Sequence, residues 1–148
     1  MVFEFLHGAG WWSPFIVLVS VGVSMILTQL VKFIREPESL KSFRKDGGMP
    51  STHATIIGSS LTGIFLVQGL SMLFVLACAV GIIVIRDAFG VRYAVGENAK
   101  VLKENSRGSL KKRVIIDEGH TPRQIIVGFV MGACVAALFI FFTGSSVF

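Results

Sequence analysis

The stretch Gly47-Gly48-Met49-Pro50-Ser51-Thr52-His53-Ala54 joins a charged segment to a long apolar one. Gly47 and Gly48 permit close backbone approach. Pro50 suits the first turn of a helix, and Ser51 or Thr52 can cap it. A helix start of this kind presents N–H groups and the positive end of the helix dipole, which suits an anion. His53 lies in the first turn, where a bound phosphate would favour its protonated form. A protonated imidazole beside a phosphate ester can act as a general acid. The plain structural alternative is a capped helix carrying an interfacial histidine.

Two further stretches carry chemistry-bearing residues. Arg86-Asp87-Ala88-Phe89-Gly90-Val91-Arg92 is expected to end an apolar helix with three charges and a glycine. The guanidinium of Arg92 is planar and suits phosphate oxygens, although an Arg–Asp pair at an interface explains the same residues. In Glu118-Gly119-His120-Thr121-Pro122-Arg123-Gln124 a second histidine precedes a helix start, with Thr121 as cap and Pro122 as first helical residue. Gln124 follows four residues later, so its amide could reach back to the ring. Gln29 and Lys32 share a helix face three residues apart; Lys32 could turn inward to a headgroup or outward to lipid phosphates. His7 falls at the opposite end and is expected to be incidental.

The elements that must hold these residues are membrane helices. The chain is 53% hydrophobic with mean hydropathy +0.74, too apolar for a soluble domain of this size. Phe15–Val31, Ala54–Ile85 and Ile125–Phe148 are uncharged runs of 17, 32 and 24 residues, against the ~17–25 needed for one crossing. The middle run is too long for one span, and Gln68-Gly69 is its natural break. Four transmembrane helices follow, roughly 13–34, 52–67, 70–93 and 122–143, in one all-α membrane-embedded domain over 1–148. The first run is not expected to be a cleaved leader, because no basic residue precedes it. Trp11 and Trp12 suit an interfacial belt. Cys78 and Cys134 are expected to be buried free thiols, with no zinc or redox spacing.

With these crossings all 14 Lys and Arg residues fall on one side, together with eight of the nine acidic residues. The positive-inside rule places that side in the cytoplasm and both termini outside. The expectation is an integral membrane protein, of the plasma (inner) membrane, whose candidate site faces the cytoplasm. Attraction to anionic lipid heads is an alternative reason for the basic residues, though charges at the ends of apolar helices (Lys32, Arg86, Asp87, Arg92) usually have a partner or a role.

In this order, "GGMPSTHA", "RDAFGVRYAVG" and "GHTPRQIIVG" resemble the divergent PAP2 family. That family is a membrane branch related to type 2 phosphatidic acid phosphatases and vanadium haloperoxidases. The resemblance covers nearly the whole chain and implies a phosphatase acting on lipid or polyprenyl phosphates through a phosphohistidine. His120 would be the nucleophile and His53 the acid for the leaving group. Lys32, Arg92 and Arg44, with Ser51 and the Gly47-Gly48 backbone, would cradle the phosphate. The chain departs from the parent pattern in three ways. No Arg-Pro follows Lys32, so Arg35 or Arg44 must substitute; 27 residues separate Arg92 from His120; and Gln124 stands where the parent has an aspartate. Gln124 or Asp87 would then orient His120. No metal or other cofactor is required, because positive side chains can stabilise the transferring group.

Two other readings compete. Asp87 and its neighbours faintly resemble the aspartate region of metal-dependent CDP-alcohol phosphotransferases, but only Glu97 is a nearby second carboxylate. A divergent member could also bind anionic lipid or scaffold a partner without turnover. The expected partners are a lipid phosphate and membrane lipids, and no nucleic acid. Four helices are few for the parent fold, so a homodimer could complete the bundle. Gly128 and Gly132 form a small-xxx-small pair, and Gly58 and Gly63 would also allow close packing, within one chain or between two.

Overall fold

The computed structural model describes residues 12–35, 49–106 and 119–143. Its helices are α1 (Ser13–Arg35), α2 (Thr52–Gln68), α3 (Met72–Arg86), α4 (Arg92–Asn105) and α5 (Pro122–Thr143), with a π-helical turn, Asp87–Val91, joining α3 to α4 without a break. The fold is an all-α membrane bundle with four rods among the described residues, since α3, the π turn and α4 form one continuous helix. Three rods are long and apolar enough to cross a membrane: Ser13–Arg35, Met72–Asn105 and Pro122–Thr143. The fourth, α2, has 17 residues, about 25 Å of helix against a ~30 Å hydrocarbon core.

The break expected at Gln68-Gly69 is present. Gly69 adopts φ +63°, a conformation that disfavours a side chain, and its N–H closes the helix on the Phe65 carbonyl. Ser71 then caps α3 by accepting from the Phe74 N–H at 3.2 Å. The third span departs from expectation at its other end. It does not stop near residue 93 but continues to Asn105. Charged residues there are compatible with a helix that has left the apolar layer.

α2 is the central rod, packed most closely on α5 and also on α1 and α3. The bundle is inside out relative to a soluble protein. Ser20, Ser24 and Thr28 of α1 and Ser51, Thr55 and Ser59 at and along α2 are fully buried. Leu18, Ile26, Ile34, Ile82 and Phe142 are exposed on the outside. In lipid, apolar side chains gain little by leaving the surface, and helices associate through close van der Waals contact and hydrogen bonds. Most of the buried hydroxyls bond to carbonyls of their own helix, such as Thr28 to Ser24 at 2.8 Å. Ser24 also bonds across to Ser59 at 3.1 Å.

Glycines set the α2–α5 distance. A Cβ on Gly58 would overlap the Phe129 carbonyl, one on Gly128 the Ser51 carbonyl, and one on Gly132 the Thr55 carbonyl. Gly63 packs on Val17 of α1. The small-xxx-small pair Gly128/Gly132 is therefore occupied inside the monomer and carries no argument for a homodimer. Cys78 is half-buried and Cys134 exposed, contrary to expectation, because α5 turns Gly128, Gly132 and Ala136 inward.

Candidate functional site

The site forms at the end of the bundle where α2 and α5 begin. Ser51 caps α2, accepting from the Ala54 N–H at 3.4 Å. Pro50 lies one residue before this cap, and the Met49–Pro50 peptide is cis. The Ser51 N–H donates to the Gln124 carbonyl at 3.1 Å, which ties the two helix starts together. Ser51 is fully buried.

At this junction the two histidines meet. His53 and His120, 67 positions apart in sequence, stand edge to face with ring centroids 6.1 Å apart and planes at 82°. His120 is 1% exposed, and the His53 Nδ1 is buried with no hydrogen-bond partner among the described residues. Lys32 reaches in from the end of α1, its Nζ donating to Thr52 Oγ1 at 3.0 Å. Of the two orientations open to Lys32, this is the inward one. The backbone N–H of His120 donates to the Ala88 carbonyl in the π turn at 3.0 Å. Gly119 lies on the Arg92–Tyr93 backbone. The 27-residue separation of Arg92 from His120 is thus closed in space, the two segments lying backbone against backbone.

The groups expected to orient His120 have other visible engagements. Gln124 Oε1 accepts from the Thr121 N–H at 2.8 Å, and Thr121 Oγ1 accepts from the Gln124 N–H at 3.4 Å. This reciprocal pair is a capping box. The Thr121-x-x-Gln124 spacing is its signature in the sequence, and the box takes the amide oxygen that a reach toward the ring would need. Asp87 Oδ2 pairs with Arg92 Nε at 3.2 Å. Arg44 and Gly48 lie outside the described residues, as does Gly47. Thr52, Ala88 and Gly119 were not expected at the site as partners. In sequence Thr52 signals only a cap, and the Ala88 carbonyl has no sequence signal of its own. Among the described residues, no three His, Cys, Asp or Glu side chains converge in a way that could hold a metal ion.

These features define a polytopic integral membrane protein with a histidine pair and basic residues gathered at one end of a helix bundle. The sequence pattern of the divergent PAP2 family matches residues 14–135, and the chain belongs to that family. Over 59 residues it is 41% identical to the uncharacterized membrane protein YuiD of Bacillus subtilis (strain 168), a match covering 39% of this chain and 37% of that protein. The chain thus aligns with little more than a third of that relative's length. No solved structure matches it significantly.

Proposed function

We propose that the chain is a lipid phosphate phosphatase that works through a phosphohistidine at the bundle end holding the two histidines. The observation that carries this reading is the edge-to-face pairing of His53 with His120, at 6.1 Å between centroids, beside the inward Lys32. A His120 nitrogen attacks phosphorus and the bond to the leaving oxygen breaks. His53 donates a proton to that oxygen. Now neutral, His53 takes a proton from water as the water attacks the phosphohistidine. The P–N bond breaks, inorganic phosphate leaves, and His53 is again protonated. Covalent catalysis divides the displacement into two easier steps. Lys32 and Arg92 neutralise charge on the phosphoryl oxygens, an effect strengthened where water is excluded, as burial of His120 implies.

His53 lies 15 residues from Gln68, about 22 Å along α2. That places it near one end of the bundle, so a headgroup could enter there while the acyl or prenyl chains stay in lipid. The excess of Lys and Arg on this side supports a cytoplasmic orientation, and the plasma membrane is the proposed location. A non-catalytic lipid-binding role is the second reading. It is favoured by the engagement of Gln124 in its capping box and of Asp87 with Arg92.

The test is phosphate release by purified protein in detergent, over a panel of lipid mono- and diphosphates, with and without EDTA. EDTA-resistant turnover lost in both His120→Ala and His53→Ala is expected. Lipid-phosphate binding by folded protein without turnover across the panel would select the second reading.

A further inference from the structure

The π turn at Asp87–Val91 changes what the helix backbone offers. In an unbroken α-helix the Ala88 carbonyl would receive the Arg92 N–H. Here the Arg92 N–H donates to the Asp87 carbonyl, five residues back. The Ala88 carbonyl instead accepts the backbone N–H of His120 at 3.0 Å, in a place where Ala88 is 3% exposed. The register shift also aligns two side chains. Residues five apart in an α-helix point about 140° apart, yet Arg92 Nε donates to Asp87 Oδ2 at 3.2 Å. The neighbouring residue completes the fit. A Cβ on Gly119 would lie 2.5 Å from the Tyr93 nitrogen and 2.9 Å from the Arg92 carbonyl carbon. Both are backbone atoms, which cannot swing aside as a side chain would.

We propose that the π turn and Gly119 form a positioning device for His120. The turn exposes a carbonyl that fixes the His120 backbone, bare Gly119 lets the loop reach it, and the same turn sets the Arg92 side chain on Asp87 and its backbone against Gly119. Ala88 and Gly119 are positioning residues, acting through His120 without touching substrate. Single-turn π segments inside α-helices are frequent at functional sites, and this one supplies a specific reason. The device rests on the reading of His120 as the nucleophile, but the placement of its ring can be measured separately.

Two variants of the full chain test it. Gly119→Ala pushes the loop off the Arg92–Tyr93 backbone. Deletion of Gly90 shortens the π turn toward an α turn while leaving Gly119 intact. Gly22→Ala, whose Cβ would meet nothing within 4 Å, is the control. Two quantities are read in detergent: phosphatase kinetics, and the rate at which diethyl pyrocarbonate modifies His120, mapped by mass spectrometry. Both test variants should modify several-fold faster at His120 and lose about 100-fold in kcat with KM little changed, the cost of a misplacement near 1 Å. Gly22→Ala should match the parent in both. The device is overturned if His120 stays as protected in both variants as in the parent, or if kcat survives once protection is lost. If the parent hydrolyses no lipid phosphate, the phosphatase reading falls alone. The modification rates then decide the device: faster modification supports it, and unchanged protection overturns it.

Discussion

Replacing Gly132 by alanine should loosen the whole site from a distance. A Cβ there would stand 2.9 Å from the Ser59 nitrogen and the Thr55 carbonyl carbon and would overlap the Thr55 carbonyl oxygen. Ordinary contact begins at 3.4 Å, and the overlapped carbonyl oxygen is the tightest of these contacts, so α2 and α5 must part locally by about 1 Å or more. The Ser51 N–H to Gln124 carbonyl bond, about one helical turn from Thr55 along α2 and two from Gly132 along α5, is 3.1 Å long. Stretched by the same amount it passes the normal limit of a hydrogen bond. Overpacking costs about 1–3 kcal/mol, and the weakened buried bond adds about 1 kcal/mol. The expected loss is therefore about 2–4 kcal/mol. Gly22→Ala makes the same chemical change in open space and should be neutral or stabilising by up to ~1 kcal/mol. Reversible unfolding of both variants in mixed detergent micelles measures the contrast. Equal stabilities, or a Gly132→Ala variant as stable as the parent, would refute the backbone-on-backbone packing of α2 on α5.

Gln124→Ala should lower stability by about 1 kcal/mol through loss of the capping box, while Gln124→Glu keeps the cap and the stability; thermal unfolding separates the two. Lys32→Met should raise KM for a lipid phosphate more than it lowers kcat if Lys32 binds ground state and transition state alike, and steady-state kinetics read the split. A cysteine replacing Val101 of α4 should react with a membrane-impermeant maleimide only from the cytoplasmic face of oriented vesicles, and one replacing Leu70 only from the other face. The reverse pattern would invert the topology. Asp87→Asn should weaken the hold on Arg92, with a change in phosphate affinity as the kinetic readout and a loss within ~1 kcal/mol in stability, as for other partly exposed ion pairs.

Much of the site was legible because its residues announce themselves by type. Proline, serine and threonine mark where α2 and α5 begin, and a histidine beside each start needs only the fold to bring the starts together. The hairpin break was legible for a similar reason: Gly69 takes a positive φ that other residues resist. The length of the third rod was not. Charge and a glycine at residues 86–92 look like a helix end, yet a helix that has emerged into water accepts charge, and α4 carries on to Asn105. Gln124 was misdirected because a side chain four residues after a histidine and a capping-box partner three residues after a threonine are the same residue. The backbone N–H of Thr121 is what its oxygen meets.

The sequence by itself determined that this protein lives in a membrane, where α2 and α5 begin, and that His53 and His120 stand beside those two starts. Those properties depend on hydropathy and local turn chemistry, which the chain carries residue by residue. The tertiary structure alone decided how α2 and α5 are rotated about their axes. In lipid their outward and inward faces are both largely uncharged, whereas in α1 Ser20, Ser24 and Thr28 mark the buried face at four-residue spacing. Close approach of glycine to backbone carbonyl, at Gly128 on Ser51 and Gly132 on Thr55, fixes that rotation. The tertiary structure also decided that the Ala88 carbonyl holds His120. A carbonyl belongs to every residue, and only a change of helical register makes one of them available.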